Sequence, residues 1–93
     1  MRVTKKHLSL LATHGFKWYK DGATDRVDPA DIQRIVATED GLTVHYTDQC
    51  ALASTTAKVR RIEVPEDPTK TWIFVHFDEL EERRRVRKPR ERR

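Results

Sequence analysis

Cysteine occurs once in this chain, at Cys50, and glycine three times, at Gly15, Gly22 and Gly41. A lone cysteine closes no intrachain disulfide and builds no cysteine-based zinc site, so a reducing, cytoplasmic setting is the expectation. Scattered glycines exclude a glycine-rich phosphate loop, and each reads as a turn residue instead. Long apolar runs are missing too. The stretch Leu8 to Ala12, which follows the basic residues Arg2, Lys5 and Lys6, is broken by Ser9 and is too short for a signal-peptide core or a membrane span. No membrane partner is expected.

What the chain does have is charge, unevenly placed. Its 93 residues suit one domain with a modest core and leave little room for a deep enclosed active site. The net charge of +4 resolves into a neutral body and a basic end. Residues 1–78 hold 11 Lys/Arg and 11 Asp/Glu, while residues 79–93 hold 8 Lys/Arg and 4 Glu. The composition therefore divides the chain into a globular domain, 1–78, and an Arg-rich tail, 79–93.

Within the body, Thr4 before Lys5 to His14 and then Gly15 predict a short capped helix with Leu8, Leu11 and Ala12 on its apolar face. Phe16 and Trp18 alternate with polar neighbours as in a half-buried strand, and Asp21-Gly22 supplies a turn. Two alternating runs flank Asp40-Gly41, a dipeptide suited to a tight hairpin. Such a turn would set Glu39 opposite Leu42, Ala37 opposite Val44 and Ile35 opposite Tyr46. Gln49 to Ala53 should continue the sheet, whereas Ser54 to Val64 fits either a helix capped by Ser54 or another strand. After a loop bracketed by Pro65 and Pro68, Thr71 to Phe77 is nearly continuously aromatic and β-branched, as in a central strand buried on both faces. Asp78 then offers an N-cap, and Glu79–Arg83 and Glu81–Arg85 are i,i+4 pairs that predict a helix to about Lys88, ended by Pro89. The expected fold is α+β, with one N-terminal helix, an antiparallel sheet of four or five strands, and a partly helical tail.

The tail carries the leading functional signal. Arg83, Arg84, Arg85, Arg87, Lys88, Arg90, Arg92 and Arg93 stand against one acid, Glu91, a density that attracts a polyanion. Arginine adds bidentate phosphate contacts and stacking on exposed bases. A charged terminus that merely keeps the protein dissolved has the same composition. Lys17, Tyr19 and Lys20 form a secondary candidate, because cations interleaved with aromatics suit a stacked base beside a phosphate, although Trp18 among them also reads as core.

Chemistry of other kinds finds little support. His7 and His14 lie two helical turns apart instead of one and gain no carboxylate or thiol at ligand spacing. His45 and His76 fall on predicted strands. Cys50 lies in Gln49-Cys50-Ala51-Leu52, which reads as buried strand with no base beside it. Asp25, Asp28 and Asp31, with Pro29 among them, fit a loop and a capped turn better than a cation site. No catalytic residue, metal or cofactor is expected.

Val27-Asp28-Pro29-Ala30-Asp31-Ile32-Gln33-Arg34-Ile35-Val36-Ala37, followed by Leu42-Thr43-Val44-His45-Tyr46, resembles the middle of LytTR-type DNA-binding domains. Ser54 stands at the family's capped segment and Val75-His76 at the end of its later strand, so the resemblance covers residues 16–80. It implies a mostly β domain that meets DNA through loops. The family's His-Arg-Ser and Val-Asn signature is missing, since Phe77-Asp78-Glu79 follows His76, and no DNA-contacting residue carries over. The opening Leu8, Leu11, Gly15 and Phe16 is also similar to HicA-type RNA-cleaving toxins. Gly22-Ala23-Thr24 stands where that family has a Gly-Ser-His stretch, so no catalytic histidine is implied.

These features point to a small regulatory or accessory protein that binds DNA or RNA. The alternative is a protein-interaction module or inhibitor whose tail docks on an acidic protein surface. A strand edge left exposed would pair two copies as a homodimer.

Overall fold

A computed structural model describes residues 1–48 and 51–86 of the protein. One helix and six strands follow in the order α1 (Lys5–His14), β1 (Phe16–Lys20), β2 (Ala23–Val27), a 3-10 turn (Pro29–Asp31), β3 (Ile32–Ala37), β4 (Gly41–Asp48), β5 (Ala51–Glu63) and β6 (Phe74–Val86). The strands form one sheet in the order β2-β1-β6-β5-β4-β3. No described helix is long and apolar enough to cross a membrane.

The helix starts where its cap dictates. The Thr4 hydroxyl accepts the His7 N–H at 3.2 Å, and the Thr4 N–H donates to His7 Nδ1 at 3.3 Å, so a histidine takes the reciprocal place usually filled by Glu or Gln. Leu11 on its inner side is fully buried. With Val3 it packs among Phe16, Trp18, Val27, Leu42, Val44, Ala57, Val59, Ile73 and Val75. Completely burying an apolar side chain of this size contributes about 1.5–3 kcal/mol over leaving it exposed.

The sheet is mixed and six-stranded, which corrects the expected antiparallel sheet of four or five. β1 runs parallel to β6, with Lys17, Trp18 and Tyr19 opposite Phe74, Val75 and His76. Parallel neighbours need a long crossover, and here the crossover is the whole of β2 to β5. Short turns between successive strands gave no hint of it.

A larger correction concerns the tail. Glu79 to Val86 is strand, the outer part of a thirteen-residue β6, and not a helix. Its partner β5 is also thirteen residues long, which settles residues 54–63 as strand. The i,i+4 charge pattern could not discriminate, because residues four apart share a face in a strand as well as in a helix. The pairs that form differ accordingly: Glu79 approaches Lys58 across the ladder at 3.7 Å, and Arg83 lies 4.0 Å from Glu81. The composition boundary after residue 78 thus falls inside β6. It coincides with an irregularity at which Asp78 of β6 and Arg60 of β5 both drop out of the register. These two residues meet instead, with Arg60 Nε donating to Asp78 Oδ1 at 2.8 Å.

Of the two expected turns, Asp21-Gly22 forms as expected and Asp40-Gly41 does not form the tight hairpin. Asp21 and Gly22 have φ of +53° and +85°, and Lys20 pairs with Ala23, so these two residues make the tight β1–β2 hairpin. β3 and β4 are joined more widely. Ala37 pairs with Leu42 and Ile35 with Val44, two positions away from the expected register, and an irregularity between Ile32 and Arg34 moves the Ile32–Tyr46 pair one position further. A shift of two preserves each residue's face, so the buried set is unchanged. Gly41 is needed for a different reason: a Cβ there would lie 1.9 Å from the Ala57 carbonyl oxygen.

Candidate nucleic-acid interface

The sheet has unequal faces. Phe16 and Trp18, Val75, Val59 and Ala57, and Leu42 and Val44 line one face and are buried. The opposite face carries Lys17, Tyr19, Phe74, His76, Arg61 and Glu63, and no described element covers it.

On this open face the ladder brings rings together. Tyr19 lies opposite His76, its ring centroid 4.8 Å from the imidazole and 6.0 Å from the Phe74 ring. Trp72, just before β6, extends the row. Lys17 Nζ sits 5.4 Å from the Trp72 centroid and the Arg26 guanidinium 5.9 Å from it. The loop leading to Trp72 is held by Asp67, whose Oδ1 accepts the Thr69 N–H at 3.0 Å and also the Thr69 hydroxyl. The hydroxyl bond first, then the amide bond, lowers the Asp67 carboxyl below its ordinary range.

Beside the rings, Tyr19, Lys20, Asp21, Arg60, Arg61, His76 and Phe77 enclose a shallow cleft of about 250 Å³. Its charges are nearly balanced. Arg60 is paired with Asp78, Arg61 Nη1 lies 3.6 Å from Glu63, and Glu63 also approaches His76 Nε2 at 3.0 Å. Arg26 is paired with Asp28 at 3.2 Å. Lys20 Nζ donates to the Asp78 carbonyl at 2.7 Å. Among the described residues no carboxylate lies within ion-pairing distance of Lys17 or Lys20.

Of the residues named from sequence, Lys17 and Tyr19 therefore sit on the open face, whereas Lys20 alternates to the Trp18 side of β1 at the strand's end, its Nζ 5.9 Å from the Phe77 ring centroid. Arg83 lies on the open face farther along β6, highly exposed and opposite Ser54. Arg84 and Arg85 continue the strand opposite Ala53 and Leu52. Arg87, Lys88, Arg90, Arg92 and Arg93 lie outside the described residues, as does Cys50. His45 and His76 do not meet, because His45 pairs with Ser54 and His76 with Arg61, seven residues apart on β5. His7 is occupied in the helix cap.

Trp72, Phe74, His76, Arg26 and Arg61 were missed from sequence. The expectation of a strand buried on both faces concealed the first three. Within Trp72-Ile73-Phe74-Val75-His76, rings occupy alternate positions and aliphatics the others, and that period of two was the available signal. Ile73 and Val75 are buried, whereas Trp72, Phe74 and His76 are only partly covered.

No protein-family model, no curated protein and no solved structure matches this chain. Nothing in those comparisons bears on the resemblance to LytTR-type domains.

Proposed function

We propose that this protein binds single-stranded nucleic acid in a regulatory or accessory role in a reducing, cytoplasmic setting. Bases stack on the open sheet face at Tyr19, Phe74 and Trp72, and phosphates are drawn by Lys17, Lys20, Arg26, Arg61 and the arginines from Arg83 to Arg93. The observation that carries this reading is the cluster of partly exposed rings on an uncovered sheet face with cations at its border. Such a surface suits unstacked bases, whose π faces it can reach; in a duplex those faces are occupied. Near balance of charge around the rings assigns most of the long-range attraction to the arginine segment.

Titration with short RNA and DNA oligonucleotides, single-stranded and duplex, tests the reading. Trp72 emission is the natural signal, since Trp18 is buried. Each base–aromatic stack contributes about 1–3 kcal/mol, so Tyr19→Leu or Phe74→Leu should weaken binding about 5- to 150-fold. A chain ending at Val86 keeps β6 complete and removes five Lys/Arg, and its salt slope should fall by up to about 3.5. Cutting after residue 78 would instead delete the outer part of β6, which pairs with β5 from Lys58 to Ala51, and test folding. Absence of single-strand affinity at low salt overturns the proposal. Capture of one acidic protein in its place would favour the docking-module alternative.

A further inference from the structure

β6 has unequal flanks. β5 pairs with it from Phe74, opposite Glu63, to Val86, opposite Ala51. On the other side β1 reaches only Phe74, Val75 and His76, and then turns away at Asp21-Gly22. From Glu79 to Val86 no described strand lies beside that flank, and the main-chain groups directed there find no ladder partner among the described strands. This edge is eight residues long, against five for the edge strand β2 and six for β3, whose ladder is also irregular between Ile32 and Arg34.

Exposed edges invite pairing, and proteins usually blunt them with proline, bulges or charge. The segment Glu79-Leu80-Glu81-Glu82-Arg83-Arg84-Arg85-Val86 contains no proline, and its charges are ordered, with acids first and bases second. That order repels a parallel copy and attracts an antiparallel one. A two-fold axis normal to the sheet keeps every residue on its own face, so odd positions must meet odd and even meet even. With the axis at Arg83, Glu82 falls opposite Arg84 of the second copy, Glu81 opposite Arg85, and Leu80 opposite Val86, each twice. Centring on Glu82 instead would set Leu80 against Arg84 and lose the apolar match. Leu80 is 38% exposed at this edge, large and apolar without cover. Glu82 is already held on its face by the Tyr46 hydroxyl, which donates to it at 2.7 Å.

We infer that a second copy of this chain pairs antiparallel along residues 80–86, joining two six-stranded sheets into one across a two-fold axis at Arg83. The open faces of both copies then lie on one side. This inference goes beyond the nucleic-acid reading and does not depend on it.

Sedimentation of the full chain without nucleic acid tests it. The wild type should have the mass of two chains. Glu81→Arg with Glu82→Arg should be monomeric, as should Arg84→Glu with Arg85→Glu, because each places like charges opposite one another. Mixing the two variants restores four opposite-charge pairs and should return the two-chain mass. Arg83→Thr, which removes the like charges at the axis, should tighten the dimer. A wild type that stays monomeric over the whole concentration range overturns the inference, and so does a dimer indifferent to both charge reversals. If a double variant fails to fold, amide exchange of the wild type decides: protection of residues 80–86 that rises with concentration supports the pairing, and protection independent of concentration overturns it.

Discussion

Replacing Gly41 by alanine adds a single methyl group where β4 begins. Its carbon would lie 1.9 Å from the Ala57 carbonyl oxygen and 2.9 Å from both the Ala57 carbonyl carbon and the Val59 nitrogen, all of them main-chain atoms of β5. An ordinary contact needs about 3.5 Å, so β4 and β5 must part there by about 1.5 Å. The hydrogen bonds Val59 N–H to Asp40 O, 3.1 Å, and Thr38 N–H to Gly41 O, 2.9 Å, flank this point. Stretching or losing two such bonds costs about 1 kcal/mol each, and overpacking adds about 1–3 kcal/mol. The total, about 3–5 kcal/mol, is a large part of the 5–15 kcal/mol typical of a whole domain. Gly22→Ala is the control: φ is +85° but nothing lies within 4 Å, so the cost is about 1–2 kcal/mol of backbone strain. Thermal unfolding followed by circular dichroism should show a drop of about 4–8 °C per kcal/mol, about two to three times larger for Gly41→Ala than for Gly22→Ala. Equal losses, or a larger loss for Gly22→Ala, would refute the reasoning that Gly41 is required by the approach of β5.

Thr4→Ala removes the hydroxyl that accepts the His7 N–H, and should lower stability by about 1 kcal/mol, read as a fall of about 4–8 °C in Tm. Thr69→Val removes the hydroxyl bond that is the chief cause of the lowered Asp67 pKa, and NMR titration should find that carboxyl closer to its ordinary value. Because the folded-state pKa of Asp67 is depressed, its contribution to stability is present above the unfolded value, about 4, and is lost as pH falls through the folded value. The wild type and Thr69→Val should therefore differ least in strong acid; a difference that grows on acidification contradicts the assignment. Because Asp67 shapes the approach to Trp72, Asp67→Ala should also alter the Trp72 emission of the free protein.

The helix was legible because its signals are local: a threonine cap, one apolar side and a terminal glycine lie within a dozen residues. The faces of β3 and β4 were legible too, since period-two alternation survives a register error of two. What sequence could not disclose depends on partners distant in the chain. The pairing of β1 with β6 joins residues 17–19 to residues 74–76, and nothing local to either segment requires it. The outer part of β6 was misassigned because a spacing of four fits both periodicities, so a highly charged strand paired with Ala53, Thr55 and Ala57 of β5 looked like a solvated helix. The ring cluster was half legible. Lys17, Tyr19 and Lys20 announced themselves, but their companions Phe74 and His76 were absorbed into an apolar run.

Charge placement ties the two proposals together. Along the open face the rings at Phe74 and His76 are separated from Arg83 by Glu79 and Glu81, a distance of about 20 Å at 3.3 Å per residue with the irregular residue at 78 set aside. A strand of phosphates running straight along β6 would meet those two carboxylates before it reached the arginines. Glu79 is already opposed by Lys58 at 3.7 Å, whereas Glu81, opposite the uncharged Thr56, is met by Arg83 of its own strand at 4.0 Å. Antiparallel pairing of a second copy places Arg85 opposite Glu81 and so removes the obstacle, while setting two ring clusters on the same side of one sheet. The acids of residues 79–82, a puzzling interruption in a polyanion-binding surface of a single chain, become in the pair the groups that select the partner.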